Sequence, residues 1–320
     1  MKIRKRKNVR VALIGTSGIA KEHINVIKKN KNAELIFIFS KDYNRALSWS
    51  KKYKIEAVKS YKDLLSDKSI DCVFIVNEPS EHIDFALPAL NAGKHILIEK
   101  PIDIDLERAL DFSNKVNKSD QIVSVISQKR FDPRLISIKK IIDSGSLGEI
   151  ISCDIELRWN RSAEYYNHGN KWRAKYGGVL INQAIHWLDI AIWFFGNPSK
   201  LYGLEKKVKP ELGCSDTAII GVEFANGPLV SFQCTTASRI STPETIKIMG
   251  TKGSYSFSNK RSIANKFFNR IKNLIFREKS PFQKQIDQFI NCIINNKKPS
   301  VSVDDAIEAL KLAKISQHKH

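Results

Sequence analysis

Val9-Arg-Val-Ala-Leu-Ile-Gly-Thr-Ser-Gly-Ile-Ala20 decides the fold. A short apolar run, rich in β-branched residues, ends on Gly15. A segment of helical period follows at Ile19–Lys29, with Ile19, His23, Val26 and Ile27 on one face. The turn between them is a degenerate Gly-x-Gly-x-x-Gly/Ala. Gly15 makes the tight turn, Ser17 replaces the second glycine and Gly18 is one more small residue. Ala20 is small enough for the helix to approach the strand. Free N–H groups over Thr16 to Ile19, with the helix dipole behind them, suit a pyrophosphate.

Outward from this stretch, strands and helices alternate. Glu34–Phe39, Asp71–Val76, Lys94–Ile98 and Gln121–Ile126 read as strands, and Asp42–Tyr53, Ser80–Ala92 and Asp105–Lys118 as helices. The strands are continuously apolar, the mark of a parallel sheet covered on both faces. The expectation is an α/β fold, with a doubly wound parallel sheet over residues 1–127 and a basic arm at 1–8. The order changes after Ser127. A helix is expected at Arg134–Ser144, then strands at Glu149–Trp159, Asp216–Phe224, Leu229–Thr236 and Thr245–Met249. Asn226-Gly227 reads as a hairpin turn. Phe282–Asn295 and Val303–Ile315 read as closing helices. Strands grouped together predict a second, α+β domain over 128–320 with an open, mostly antiparallel sheet.

The 320 residues are 42% hydrophobic, enough for large cores. No apolar run approaches the ~20 residues of a membrane span. The basic N-terminus runs into a strand pattern rather than a secretory signal. Cys72, Cys153, Cys214, Cys234 and Cys292 are scattered, with no Cys-x-x-Cys pair. That argues for reduced thiols in a cytoplasmic protein, and against a metal site or disulfide framework. The 53 Lys+Arg against 33 Asp+Glu give a net charge of +20, a field that favours anionic ligands or surfaces. Lys, Ile and Asn are abundant throughout, so compositional bias is the favoured explanation. No nucleic-acid-binding motif accompanies the charge, and no specific nucleic acid is expected.

Strand C-termini face the ligand crevice in open α/β sheets. At the end of the second strand, NAD-binding folds usually carry an acid for the ribose hydroxyls. Ser40 stands there instead, with Lys41 and Arg45 nearby to receive a 2′-phosphate. The balance leans slightly to NADP and stays open between NAD and NADP, because Asp42 is within sequence reach of the ribose. After the strand His95–Ile98, Glu99-Lys100-Pro101 projects Lys100 toward cofactor and substrate. A lysine beside a cationic nicotinamide loses its proton readily. Gly177-Gly-Val-Leu-Ile-Asn-Gln-Ala-Ile-His186 puts Asn182 and His186 one helical turn apart at the start of an apolar helix. A lysine and a histidine delivered from different elements suit proton transfer at a hydroxyl. Tyr165, Tyr166 and Trp172 are candidates to stack on a sugar or base. Arg130, Arg161 and Arg173 are candidates to grip a diphosphate or carboxylate. The competing assignments are core aromatics and solvated surface charge.

Five ordered segments carry a family resemblance: Gly15-Thr-Ser-Gly-Ile-Ala-Lys-Glu-His23, Ala92 to Pro101, Gln128-Lys-Arg-Phe-Asp-Pro133, Gly145-Ser-Leu-Gly-Glu-Ile150 and Gly177 to Asp189. The chain resembles the Gfo/Idh/MocA oxidoreductases over nearly its whole length. The resemblance implies a Rossmann domain followed by an α/β domain with an open antiparallel sheet. It implies Lys100 near the reacting carbon and His186 as the main acid/base. It also implies Pro79, His82, Glu99 and Gln128 along the cofactor, with His23 and His82 in supporting roles. Where many members carry an aspartate four residues before the histidine, this chain has Asn182. The Asn-Gln-x-x-His variant, with Gln183 in second place, is similar to the subset acting on sugars and nucleotide sugars. That subset includes UDP-N-acetylglucosamine and UDP-N-acetylglucosaminuronate 3-dehydrogenases. The stretch Trp159 to Tyr166, followed by Trp172-Arg173, is similar to the same subset.

Two departures concern the glycine run, Gly177-Gly178 where three glycines are usual, and the end of the chain soon after Val303–Ile315. A further pattern lies at 259–279, where Ile263, Phe267, Ile271, Leu274 and Ile275 share one helical face among basic residues. A helix packed on the second domain or on a subunit partner is the favoured assignment; peripheral contact with an anionic membrane is the other. The combined expectation is an NAD(P)-dependent dehydrogenase that oxidises a secondary hydroxyl of a sugar, above all a nucleotide sugar, and self-associates. The alternatives are a dehydrogenase of free sugars or inositols, and a cofactor-holding scaffold with little catalysis.

Overall fold

A computed structural model describes residues 8–167, 171–225, 227–260 and 278–314. The chain forms two compact units. The first runs to Gln128 and takes in Phe282–Ile307; the second is Lys129–Pro281 with the residues from Glu308 on.

In the first unit, β1 (Val9–Ile14), α1 (Ala20–Lys29), β2 (Ala33–Phe39), α2 (Tyr43–Tyr53), β3 (Glu56–Val58), α3 (Tyr61–Ser66), β4 (Cys72–Ile75), α4 (His82–Asn91), β5 (His95–Ile98), α5 (Leu106–Val116) and β6 (Val123–Val125) follow in turn. The sheet order is β3-β2-β1-β4-β5-β6 and every pairing is parallel. The order reverses between β1 and β4, so their C-terminal ends frame the crevice where such sheets hold ligands. All four residues of β4 are buried, as a strand covered on both faces requires. The sequence pattern misses β3 and α3. β3 is a three-residue edge with one exposed and two half-buried residues, too short to show a period.

Phe282–Ile307, expected in the second domain, lies in the first. Ile286, Phe289, Ile290 and Ile293 of the helix Pro281–Asn295 pack with Val11, Leu13 and Phe74. Gln285 ties that helix to β6: its Oε1 accepts from Ser127 N at 2.9 Å and its Nε2 donates to Val125 O at 2.9 Å. An amphipathic face shows that a helix covers a core, but not which core.

The second unit contains α6 (Pro133–Asp143), β7 (Ile150–Arg158), α7 (Ala163–Asn167), α8 (Ile185–Phe195), β8 (Pro198–Lys206), β9 (Thr217–Phe224), β10 (Leu229–Thr235), β11 (Thr245–Gly250) and β12 (Gly253–Ser258). The sheet is mixed, in the order β12-β11-β7-β10-β9-β8, with β7 parallel to β10 and the other pairings antiparallel. Alternation sets its two faces. Ala218, Ile220, Val222 and Phe224 are buried in one core with Trp187, Leu188 and Ala191 of α8, while Ile219 is exposed. β8 and β12 lie beyond the sequence expectation; both are edge strands with mostly exposed or half-buried residues. The final helix is Val303–Ala313. Residues 1–7, Asn226 of the expected hairpin, Ile315, and 261–277 of the basic amphipathic pattern lie outside the described residues. Among the described residues no helix is long and apolar enough to cross a membrane. None of their His, Cys, Asp and Glu side chains form a group of three or more that could hold a metal.

Candidate functional site

The loop after β1 is shaped by backbone contact. Gly15 has φ +113°, and a Cβ there would lie 2.6 Å from Asn77 N and 2.8 Å from its Cα. Only glycine fits. The Gly15 N–H donates to Phe39 O at 2.8 Å, and the Ser17 hydroxyl donates to Val76 O. Ser17 thus ties the loop to the residue after β4. Around Gly18, by contrast, a Cβ would meet nothing within 4 Å. Gly18 and Ile19 are exposed at the start of α1, where no side chain caps the helix. Ala20 is fully buried beneath it.

At the end of β2, the Thr16 and Ser40 hydroxyls are 3.5 Å apart, and Arg45 Nη2 donates to Thr16 O at 2.9 Å. Lys41 pairs with Glu81 at 2.5 Å. Asp42, which the sequence allows to reach a ribose, instead caps α2, accepting from Asn44 N at 3.0 Å and Arg45 N at 3.3 Å.

Beyond β4, Pro79 is buried and opens a 3-10 turn, Pro79–Glu81. Buried His82 contacts Pro101 O through Nδ1 at 2.8 Å and Asn77 O through Nε2 at 3.4 Å. Burial pushes its pKa down, against the pull of those carbonyls and of Glu99. It braces two loops against each other. Glu99 is buried, hydrogen-bonded to His23 Nε2 at 2.9 Å and accepting from Lys100 N at 3.1 Å. Burial raises the Glu99 pKa, but His23, the Lys100 charge and the Lys100 N–H outweigh it, and the net shift is downward. Lys100 itself is half-buried at the end of β5, and its peptide to Pro101 is cis.

A dinucleotide fits these residues. The Gly15 loop lets backbone approach backbone, and α1 presents an uncapped N-terminus. Two buried acceptors, Asn77 Oδ1 and Gln128 Oε1, have no hydrogen-bond partner among the described residues. Such acceptors are costly unless a ligand donor meets them. Sequence reasoning names Gln128 and misses Asn77. The signal available for Asn77 is its place just past the C-terminal end of β4.

In the second unit, two π-helical turns, Arg173–Gly177 and Leu180–Ala184, flank Gly178, which has φ +54°. Asn182 and Gln183 lie in the second turn, and His186, half-buried, lies in α8. This corrects the expectation of one α-helical turn. Asn182 lies in the π segment and His186 in the α-helix that follows it. Asn182 Nδ2 donates to the Tyr165 hydroxyl at 3.1 Å, and Gln183 Nε2 donates to the same oxygen. Both amides are therefore held by Tyr165. The Trp172 ring packs on Gly177, where a Cβ would come within 3.2 Å of it.

Arg161 and Arg173 lie over the Tyr165 ring, each 5.1 Å from its centroid. Arg130 is placed otherwise. It is buried, with Nε donating to Asp189 Oδ2 at 3.0 Å and Nη2 to Oδ1 at 2.6 Å. Its fork is filled by a carboxylate of its own chain, which corrects its assignment as a substrate clamp. Tyr166 is fully buried in a small cluster with Ala174 and Leu212, its hydroxyl bonded to that of Thr236. It is a core side chain with no face for a ligand.

A parallel sheet with a glycine-tight first loop, an uncapped first helix and unfilled acceptors at its strand ends defines a dinucleotide-binding α/β protein. Residues 9–127 match the family described as "Oxidoreductase family, NAD-binding Rossmann fold", and residues 135–256 match the "GFO/IDH/MocA C-terminal domain". The chain belongs to the Gfo/Idh/MocA family of oxidoreductases. It is 27% identical to the oxidoreductase YrbE of Bacillus subtilis, over 97% of this chain and 94% of that one. It is 27% identical to the NAD(+)-dependent scyllo-inositol 2-dehydrogenase of the same organism, over 93% and 90%. The WlbA dehydrogenase of Bordetella pertussis, solved with NADH and UDP-GlcNAcA, shares the fold at a TM-score of 0.85 and 22% identity, over 97% of this chain and 96% of that one.

Proposed function

We propose that this protein is an NAD(P)-dependent dehydrogenase acting on a secondary hydroxyl of a sugar carried on a nucleotide. The observation that carries it is the arrangement around Tyr165, whose hydroxyl holds the Asn182 and Gln183 amides just ahead of His186. Amides held in that way suit the hydroxyls of a sugar. His186 takes the hydroxyl proton, as an imidazole near neutral pH is suited to do. Lys100 polarises the same oxygen or relays its proton. Asn182 and Gln183 orient the ring, and Trp172 offers it an apolar face. When bound, the nicotinamide supplies the hydride acceptor or donor. Gly15, Thr16, Ser17, Gly18 and Ile19 hold the pyrophosphate. Ser40, Lys41 and Arg45 lie toward the adenosine ribose, and Pro79, Glu99 and Gln128 line the nicotinamide side with His82 bracing them.

A second reading, a dehydrogenase of free cyclic polyols, is supported by the likeness to the inositol dehydrogenase. Self-association is supported by Leu204 and Ile219, exposed and paired across β8 and β9, with exposed Tyr202 and Leu229 on the same face of the second sheet. The test is denaturing release and mass spectrometry of the copurified nucleotide, followed by absorbance at the reduced-nicotinamide band with UDP-sugars and inositols. Bound NAD or NADP with UDP-sugar-dependent turnover is the expected result. Turnover of inositols alone selects the second reading. Failure to bind any nicotinamide dinucleotide overturns both.

A further inference from the structure

Several arginines in this fold are matched by acceptors. Arg130 has Asp189, Arg134 has Asp132, Arg108 has Asp84, and Arg45 has a loop carbonyl. Arg161 and Arg173 are different. Arg161 follows β7 and Arg173 opens the first π turn, and both stack on Tyr165. Arg161 also covers Trp159 at 4.9 Å, and Arg173 covers Trp172 at 5.1 Å. Three aromatic rings therefore lie against two guanidiniums. A guanidinium held against a ring by its charge still has N–H groups that seek acceptors.

Those N–H groups are not all met. The Nε of each arginine is buried without a hydrogen-bond partner among the described residues, and neither guanidinium has an ion-pair partner among them. A buried charged donor left unmade is unfavourable, and two like charges sharing one ring repel. One oxyanion would relieve all of this. Its position is also set relative to the proposed chemistry, because the ring carrying both arginines is tied through its hydroxyl to Asn182 and Gln183.

We propose that Arg161 and Arg173 form an oxyanion subsite that restricts the substrate to sugars bearing a carboxylate on the ring or a phosphate next to it. The subsite rests on the dehydrogenase reading for its place beside the reacting hydroxyl, but not for its affinity. Neutral polyols have nothing to place there, so the pair determines specificity. A planar fork meets a carboxylate or phosphate through two N–H groups, and such charge-assisted pairs are stronger than neutral hydrogen bonds.

The test is calorimetric titration of the full chain, saturated with its nicotinamide dinucleotide. The probes are UDP-N-acetylglucosaminuronate, D-glucuronate, UDP and scyllo-inositol. R161Q and R173Q are each expected to weaken the nucleotide uronate about tenfold or more, leaving inositol affinity unchanged. A parallel loss for D-glucuronate identifies the carboxylate as the bound group; a parallel loss for UDP identifies the phosphate. Unchanged uronate affinity in both variants overturns the subsite. So does an equal loss for inositol, or a wild-type chain that binds none of the anionic probes. Should the glutamine variants not fold, R161K and R173K serve in their place, because lysine keeps the charge without the fork. A several-fold loss is then expected, and no loss refutes the proposal. Binding without turnover would leave the subsite standing and remove the dehydrogenase reading, so the two fail separately.

Discussion

The imidazole of His23 and the carboxylate of Glu99 are hydrogen-bonded at 2.9 Å, both buried, though 76 residues apart in sequence. The pair joins α1 to the end of β5, and Glu99 also accepts the backbone N–H of Lys100. Its net downward pKa shift means that ionised Glu99 stabilises the fold above its ordinary value of 4.5, a contribution lost as pH falls through the lower folded value. His23→Leu leaves the carboxylate buried without its partner, at a cost of about 3–5 kcal/mol near neutral pH. Burial then dominates and raises the Glu99 pKa, so acid favours the variant. Denaturant unfolding between pH 7 and 4 should show the gap between wild type and variant narrowing. A gap that stays constant would refute the assignment.

Gly15 and Gly18 should separate folding from cofactor binding. Gly15→Ala sets a Cβ against the Asn77 backbone at a φ that L-residues rarely adopt, and should lower Tm and nucleotide affinity together. Gly18→Ala meets nothing in the protein, so stability should stay within about 0.5 kcal/mol. Any loss of nucleotide affinity in Gly18→Ala then reports ligand approach. Thermal melting and fluorescence titration with NADH and NADPH measure both. Equal loss of Tm in the two variants would contradict the geometry.

His186→Asn should keep the copurified nucleotide and lose ~10² or more in turnover, the usual size of a general-base effect. Retained nucleotide with near-normal kcat would show that another group takes the proton.

Arg130 and Asp189 form a buried bidentate pair, so removing one partner strands the other. Arg130→Met should cost about 3–5 kcal/mol in urea unfolding. Substrate KM, measured where the variant is folded, should not change. A variant of normal stability with a raised KM would return Arg130 to the substrate.

The first unit was largely legible in the residues because its signals are local. Continuous apolar strands, helical periods and the glycine turn each span fewer than about a dozen residues, and the parallel sheet follows from their alternation. The short edge β3, and β8 and β12 at the edges of the second sheet, carried no comparable signal, since an exposed edge imposes little pattern. The helix Pro281–Asn295 was visible as a helix but not as part of the first unit.

In the candidate site, residue types were readable and their partners were not. Arg130, Arg161 and Arg173 look alike along the chain, and Asp42 looks as available to a ribose as to a helix. By itself, the sequence determined the two kinds of sheet, the dinucleotide loop and the lysine and histidine offered for proton transfer. Only the tertiary structure decided that Arg130 is filled by Asp189, that Asp42 is a cap, that Tyr166 is core, and that Arg161 and Arg173 share one aromatic ring with buried N–H groups to spare. The physical reason is that a strand or helix follows from neighbours a few residues away. Whether a buried charge is satisfied depends on groups tens of residues distant, brought within 3 Å by the fold.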